Sequence, residues 1–240
     1  MSDGALRTMP LHAITEVHGE TGLRDRFAME IEDYPPVERE RLETALELAA
    51  RLHRHQRRIR EPYLNHLLRV AIRIIHYYGI SDTEVIIAAL LHDSVEDHPF
   101  ELAGLPATEG HPPTDEALAV LRERFGARVA GMVASVTNPV YTADRDHHLQ
   151  YREHLQESLD ADPWARVIKI SDFTDNGVGV IYISGPKALS SARKYRPLLP
   201  ILRDLVTRAD TPLEGPVRLH ILEQLDLAET RFAAILDGTD

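Results

Sequence analysis

Apolar residues recur along this chain at intervals of three and four, the spacing that lines one face of a helix, and no run alternates as a strand does. From about Val37 the series Leu42, Ala45, Leu46, Ala49 and Leu52 predicts a helix to about His55. Pro62 restarts the chain, and Leu64, Leu67, Leu68, Ala71, Ile72 and Ile75 predict a second helix that Gly79 stops. Ser81 or Asp82 then offers an N-cap for a helix running through Val95. Thr114 opens a short helix that ends near Gly126, and another reaches about Thr137. Further helices are predicted near 146–159, from Pro163 to about Asp175, near 187–208 and near 216–236. Residues 98–114 hold four prolines and two glycines and read as a loop, while Gly177 to Gly185 interrupts the pattern. Residues 1–37 are mixed and end in Tyr34-Pro35-Pro36, which reads as an N-terminal arm closed by a turn. The expected fold class is all-α, a single helical bundle.

Composition narrows the class. At 240 residues, 43% hydrophobic and 27% charged, the chain can bury a full core and is not disordered. The absence of cysteine excludes disulfides, cysteine-zinc sites and a thiol nucleophile. A net charge of −11 argues against binding duplex nucleic acid, yet allows a phosphorylated small molecule in a local basic pocket. No window approaches the roughly 18 apolar residues of a membrane span. The start, Met1-Ser2-Asp3-Gly4, lacks the basic and apolar regions of a signal peptide. A cytoplasmic protein with no membrane partner is therefore expected.

Candidate chemistry lies in three segments: Pro62-Tyr63-Leu64-Asn65-His66, Leu91-His92-Asp93-Ser94-Val95-Glu96-Asp97, and Lys169-Ile170-Ser171-Asp172. With 13 His and 18 Asp in the chain, about one His-Asp dipeptide arises by chance, so the pair alone says little. Its surroundings say more. His92 with Glu96 and Asp93 with Asp97 stand four residues apart, placing four ionisable groups at the end of an otherwise apolar helix. Burying them is costly unless an ion or strong partners compensate. Two imidazoles and two carboxylates form a mixed nitrogen and oxygen set suited to Mn²⁺, Fe²⁺ or Zn²⁺. Taken singly, each has a plainer reading: His66 as a satisfied helix histidine, His92-Asp93 as a surface pair, Asp172 as a cap.

In this order the segments resemble the HD superfamily of metal-dependent phosphohydrolases, and within it the alarmone hydrolases of the bacterial stringent response and their small stand-alone relatives. The likeness spans about residues 45–176. It includes His53, Gln56 and Arg57, then Glu61-Pro62-Tyr63 and His66, Ala88-Ala89-Leu90-Leu91-His92-Asp93, Val95-Glu96-Asp97, Phe125-Gly126 and Val167-Ile168-Lys169-Ile170-Ser171-Asp172 with Asn176. The resemblance implies metal ligation by His66, His92, Asp93 and Asp172, with manganese the usual ion. It implies that Glu96 and Asp97 serve the attacking water, and that Arg57, with Arg58 beside it, and Asn176 contact a guanosine 3′,5′-bis(diphosphate)-like nucleotide losing its 3′ pyrophosphate. The domain is then expected over 38–210, after an arm at 1–37, with a C-terminal helix at 211–240 packed on it. No synthetase domain is expected to follow, since the chain ends at Asp240.

Two departures bear on specificity. Arg58, Ile59 and Arg60 stand where the family usually has Lys-Ser-Gly, so a small hydroxyl residue that helps read guanine is missing. Phe173-Thr174-Asp175-Asn176 stands where an Arg-Leu-His-Asn run is usual, removing a phosphate-binding arginine. Lys187, Arg193, Lys194 and Arg196 form a later basic cluster, read first as a solvated face and otherwise as a substitute for that arginine. The leading expectation is a metal-dependent nucleotide phosphohydrolase. The alternatives are an HD-type 5′-nucleotidase and a non-catalytic metal- or nucleotide-binding regulatory domain. A cyclic-dinucleotide hydrolase is not expected, because the His-x-x-Gly-Tyr-Pro signature is absent. Apolar faces on the terminal helices serve a homodimer as well as they serve the core.

Overall fold

The computed structural model describes residues 3–59, 61–179 and 185–238. Among them every regular element is helical, and the only isolated β contact is a bridge between Arg57 and Pro62. The helices are α1 (Asp3–Thr8), α2 (Leu11–Glu30), α3 (Pro36–Leu52), α4 (Leu64–Ile72), α5 (Thr83–Leu91), α6 (Ser94–Asp97), α7 (Pro99–Ala103), α8 (Thr114–Phe125), α9 (Ala127–Val136), α10 (His147–Asp160), α11 (Pro163–Asn176), α12 (Pro186–Tyr195), α13 (Leu199–Thr207) and α14 (Gly215–Asp237). No helix among the described residues is long and apolar enough to cross a membrane. The chain divides into two compact units, Met1–Thr137 and Asn138–Asp240.

The first unit is organised around α5. Val85 through Leu91 are fully buried, as the lack of any polar stripe in this segment requires. The helix packs against α3, α4 and α9, and α4 packs in turn on α2. Its start is fixed by Asp82, whose Oδ1 accepts from the backbone N–H of Glu84 at 3.0 Å and of Val85 at 3.4 Å. Both Asp82 oxygens also accept from Arg128 on α9, at 2.9 and 2.7 Å. A π-helical turn, Arg73–Tyr77, extends α4, and Gly79 at φ +67° ends it.

Three local expectations need correction. The arm expected at 1–37, with no helix predicted in it, carries α1 and α2 within its described residues, with Leu11, Ile14, Leu23 and Phe27 buried. Gly19, at φ +61°, bends α2 and breaks the phase of its apolar stripe, so the two halves do not read as one periodic helix. The helix from Asp82 stops at Leu91 rather than Val95; His92 and Asp93 form a turn before α6. Within 98–114, Pro99 starts the short α7, closed by Gly104 in the left-handed conformation.

In the second unit α10 packs on α11, α11 on α13, and α14 on α12 and α13. Arg166, buried on α11, donates to the carbonyl oxygens of Leu159 and Asp160, both at 2.6 Å, satisfying the open end of α10. Its remaining donors meet Asp210 at 2.7 Å and Thr211 at 3.2 Å. The helix expected over 187–208 is divided by a 3₁₀ turn at Arg196–Leu198, where Pro197 cannot continue the α-helical ladder. Of the interruption at Gly177 to Gly185, residues 180–184 lie outside the described residues.

Candidate metal centre

The site is built on a tight turn between α3 and α4. The backbone N–H of Tyr63 donates to the Gln56 carbonyl at 3.1 Å and that of Arg58 to the Glu61 carbonyl at 2.9 Å. Glu61 is clamped by the buried Arg69, whose two terminal nitrogens each donate to one of its oxygens at 2.7 Å. Thr15 on α2 accepts from the same guanidinium at 3.1 Å. A two-point ion pair at this depth fixes the turn, and with it the place where Tyr63 enters α4.

His66 on α4 and His92-Asp93 at the end of α5 then converge. One ligand atom from each of the three lies within 4.8 Å of the others. His92 Nε2 is 3.1 Å from Asp93 Oδ2, and His66 Nε2 is 3.7 Å from the same oxygen. Both rings are essentially buried, at 0% and 2% exposure, which removes the surface-pair reading of His92. His92 Nδ1–H donates to the Ala89 carbonyl at 2.8 Å, the tautomer that turns the lone pair of Nε2 toward Asp93. The Tyr63 hydroxyl donates to Asp93 Oδ2 at 2.6 Å. Burial and the Asp93 charge push the Tyr63 phenol up, so it stays a donor. Two imidazole nitrogens and a carboxylate oxygen, with His92 and Asp93 each oriented by a partner behind it, form a donor set that fits a divalent cation.

Glu96 and Asp97 follow on α6, both partly open to solvent. Asp97 Oδ2 accepts from Gln56 Nε2 at 2.8 Å. Loss of water around the group pushes the Asp97 carboxyl up to about 6; the Gln56 hydrogen bond opposes this, and the neighbouring charges of Asp93 and Glu96 add to it. Gln56 Oε1 also meets His53 Nδ1 at 2.5 Å and His98 Nε2 at 2.8 Å. Burial lowers the His53 imidazole to about 4, and His98 is lowered for the same reason.

The remaining expected residues fall in two places. Arg57 is exposed on the turn, and the Arg58 guanidinium lies 5.2 Å from the Tyr63 ring centroid. Arg60 lies outside the described residues. Asp172 and Asn176 belong to the second unit, one turn apart on α11. Asp172 Oδ1 accepts from Asn176 Nδ2 at 2.5 Å and Oδ2 from Lys169 Nζ at 3.0 Å. Thus the first unit by itself brings together three of the four expected ligands, His66, His92 and Asp93. Of the basic cluster, Lys194 lies 5.0 Å from the Tyr151 ring centroid, and Lys169 approaches the same ring at 5.7 Å. Reading the sequence assigned no role to the Tyr63 hydroxyl, the Glu61–Arg69 pair or His98. For the first two the only sequence signal is their place beside His66.

Residues 45–161 match a family model described as HD domain, a span that ends before Asp172. A guanosine-3′,5′-bis(diphosphate) 3′-pyrophosphohydrolase of Aquifex aeolicus is 33% identical over 159 residues, which is 66% of this chain and 20% of that protein. The human guanosine-3′,5′-bis(diphosphate) 3′-pyrophosphohydrolase MESH1 is 35% identical over 133 residues, 53% of this chain and 63% of that one. The chain thus spans less than two thirds of the length of either relative. A solved structure, described as a metazoan ortholog of SpoT that hydrolyzes ppGpp and plays a role in starvation responses, superposes with a TM-score of 0.54 at 23% identity. It covers 80% of this chain and 95% of its own, a likeness of fold.

Proposed function

We propose that this chain, similar to the HD domain family over residues 45–161, is a divalent-metal-dependent phosphohydrolase that removes the 3′ pyrophosphate from guanosine 3′,5′-bis(diphosphate) or a close analogue. The observation that carries the proposal is the convergence of His66, His92 and Asp93, with Tyr63 and the Ala89 carbonyl holding two of them in ligating orientation. Asp172 is assigned as the fourth ligand, and Mn²⁺ as the ion. A divalent ion at such a site acidifies water and offsets phosphate charge. The chain's own groups do the rest. Asp97 and Glu96 take the proton of the attacking water, for which a carboxyl near 6 is well matched. The water oxygen bonds to the phosphorus attached to O3′, the bond from that phosphorus to O3′ breaks with its electron pair on O3′, which takes up a proton to become the 3′ hydroxyl, and pyrophosphate leaves. Arg57 and Arg58 meet the base and phosphates from the turn, and Asn176 contacts the nucleotide.

Purified protein is assayed with Mn²⁺ and with chelator on guanosine and adenosine 3′,5′-polyphosphates and on nucleoside 5′-monophosphates. The expected result is metal-dependent pyrophosphate release, abolished together with metal binding in Asp93→Ala. Release of 5′ phosphate, or nucleotide binding with no turnover, overturns the assignment in favour of a nucleotidase or a regulatory domain. Because the exposed Ile59 stands where a hydroxyl would read guanine, guanosine and adenosine forms should differ by only about tenfold in kcat/KM, or about 1.4 kcal/mol. A thousandfold preference for guanosine would show that another residue reads the base.

A further inference from the structure

Gln56 is engaged at every polar atom it has. Its backbone N–H donates to the His53 carbonyl at 3.0 Å, and its carbonyl accepts from the Tyr63 N–H at 3.1 Å. Its side-chain nitrogen donates to Asp97 Oδ2 at 2.8 Å, while its side-chain oxygen faces His53 Nδ1 at 2.5 Å and His98 Nε2 at 2.8 Å. We propose that Gln56 is a positioning residue for Asp97, and that His53 and His98 lock its amide so that an N–H, never the oxygen, faces that carboxylate. The consequence for catalysis rests on the reading of Asp97 as proton acceptor given above.

The chemistry of the three contacts leaves one arrangement. An amide oxygen has two lone pairs and can accept from both imidazoles, provided that His53 is protonated on Nδ1 and His98 on Nε2. With the amide reversed, its oxygen would sit against the Asp97 carboxylate, acceptor against acceptor, and its NH₂ would need both rings to accept. The two rings are themselves held. His53 is buried, stacked on Tyr63 with centroids 4.9 Å apart and planes 10° from parallel, and His98 meets it edge-on at 4.5 Å. Among the described residues the Gln56 amide is the side-chain donor that meets Asp97, and it sets where Oδ2 rests.

Gln56→Met keeps the length of the side chain and removes its donor and acceptor. Expected are stoichiometric Mn²⁺ binding as in the native protein, a kcat about 10–100-fold lower, and a KM within about twofold. His98→Ala should lower kcat in the native background and add nothing in Gln56→Met, because it acts through the amide. A crystal structure of Gln56→Met should show the Asp97 carboxylate turned away from its native position. Long-range proton–nitrogen NMR of the native protein should show His53 protonated on Nδ1 and His98 on Nε2. Either opposite tautomer, or an Asp97 position unchanged by Gln56→Met, overturns the lock without reference to turnover. An unchanged kcat in Gln56→Met overturns its catalytic consequence. Failure of the native protein to hydrolyse any of the nucleotides sinks the functional reading instead, and leaves the NMR and the variant structure to decide the lock.

Discussion

Tyr63 works through both ends of its side chain. The ring stacks on His53 and carries the Arg58 guanidinium, while the hydroxyl reaches Asp93 Oδ2 at 2.6 Å. Tyr63→Phe keeps the ring and deletes only the hydroxyl, so it should leave the fold intact and release Asp93 from its orientation. Groups that orient a ligand from behind are typically worth about 10–100-fold in metal affinity. Calorimetric titration of Mn²⁺ into Tyr63→Phe should therefore show weaker binding with a melting temperature close to native in the metal-free form. Equal affinity would assign the hydroxyl no part in metal binding. At this scale the candidates were legible where polarity interrupts an apolar run, as at His66 and His92. The hydroxyl was not, because nothing local says that Tyr63 points toward a carboxylate 30 residues on.

Among elements, α5 packs against three other helices of the first unit, α3, α4 and α9. Asp82 caps α5 and ties it to Arg128 on α9. Asp82→Ala should cost about 1 kcal/mol for the cap alone, read as a lower urea midpoint with unchanged slope. Burial pushes the Asp82 carboxyl up, but the Arg128 guanidinium and the N–H groups of Val85 and Glu84 outweigh it and hold the group below its ordinary value. Its contribution is therefore present above the unfolded value of about 3.9 and is lost as pH falls through the folded one. The native protein should lose stability over that acid range more steeply than Asp82→Ala; parallel curves would remove Asp82 from the account. Caps and stripes made α3, α5 and α11 legible in the sequence. The halves of α2 were not, since the bend at Gly19 shifts the phase on which periodicity depends.

For the molecule as a whole, the candidate ligands of the first unit come from α4 and from the turn that follows α5, two helices packed together in the core. An ion that binds only where α4 and α5 are docked adds its binding energy to folding. Mn²⁺ at 100 times its dissociation constant should stabilise the native protein by about 2.7 kcal/mol, reversed by chelator. Asp93→Ala should show neither effect. Stabilisation by Mn²⁺ that survives in that variant would place the ion elsewhere.

The sequence by itself determined what is local: helices from a period of 3.6, two of their starts from Ser81 or Asp82 and from Pro163, and a polar cluster standing out within apolar helices. It also determined which side chains were available to bind an ion, because His66, His92 and Asp93 have no place in a core unless something compensates them. Only the tertiary structure decided how they meet. Whether His66 Nε2 comes within 3.7 Å of Asp93, or Gln56 within 2.8 Å of Asp97 across 41 residues, depends on the packing of α4 on α5. It depends equally on the Glu61–Arg69 clamp that fixes the turn before α4. Those distances follow from side-chain volumes and buried ion pairs between remote segments, and the periodicity of neither segment contains them.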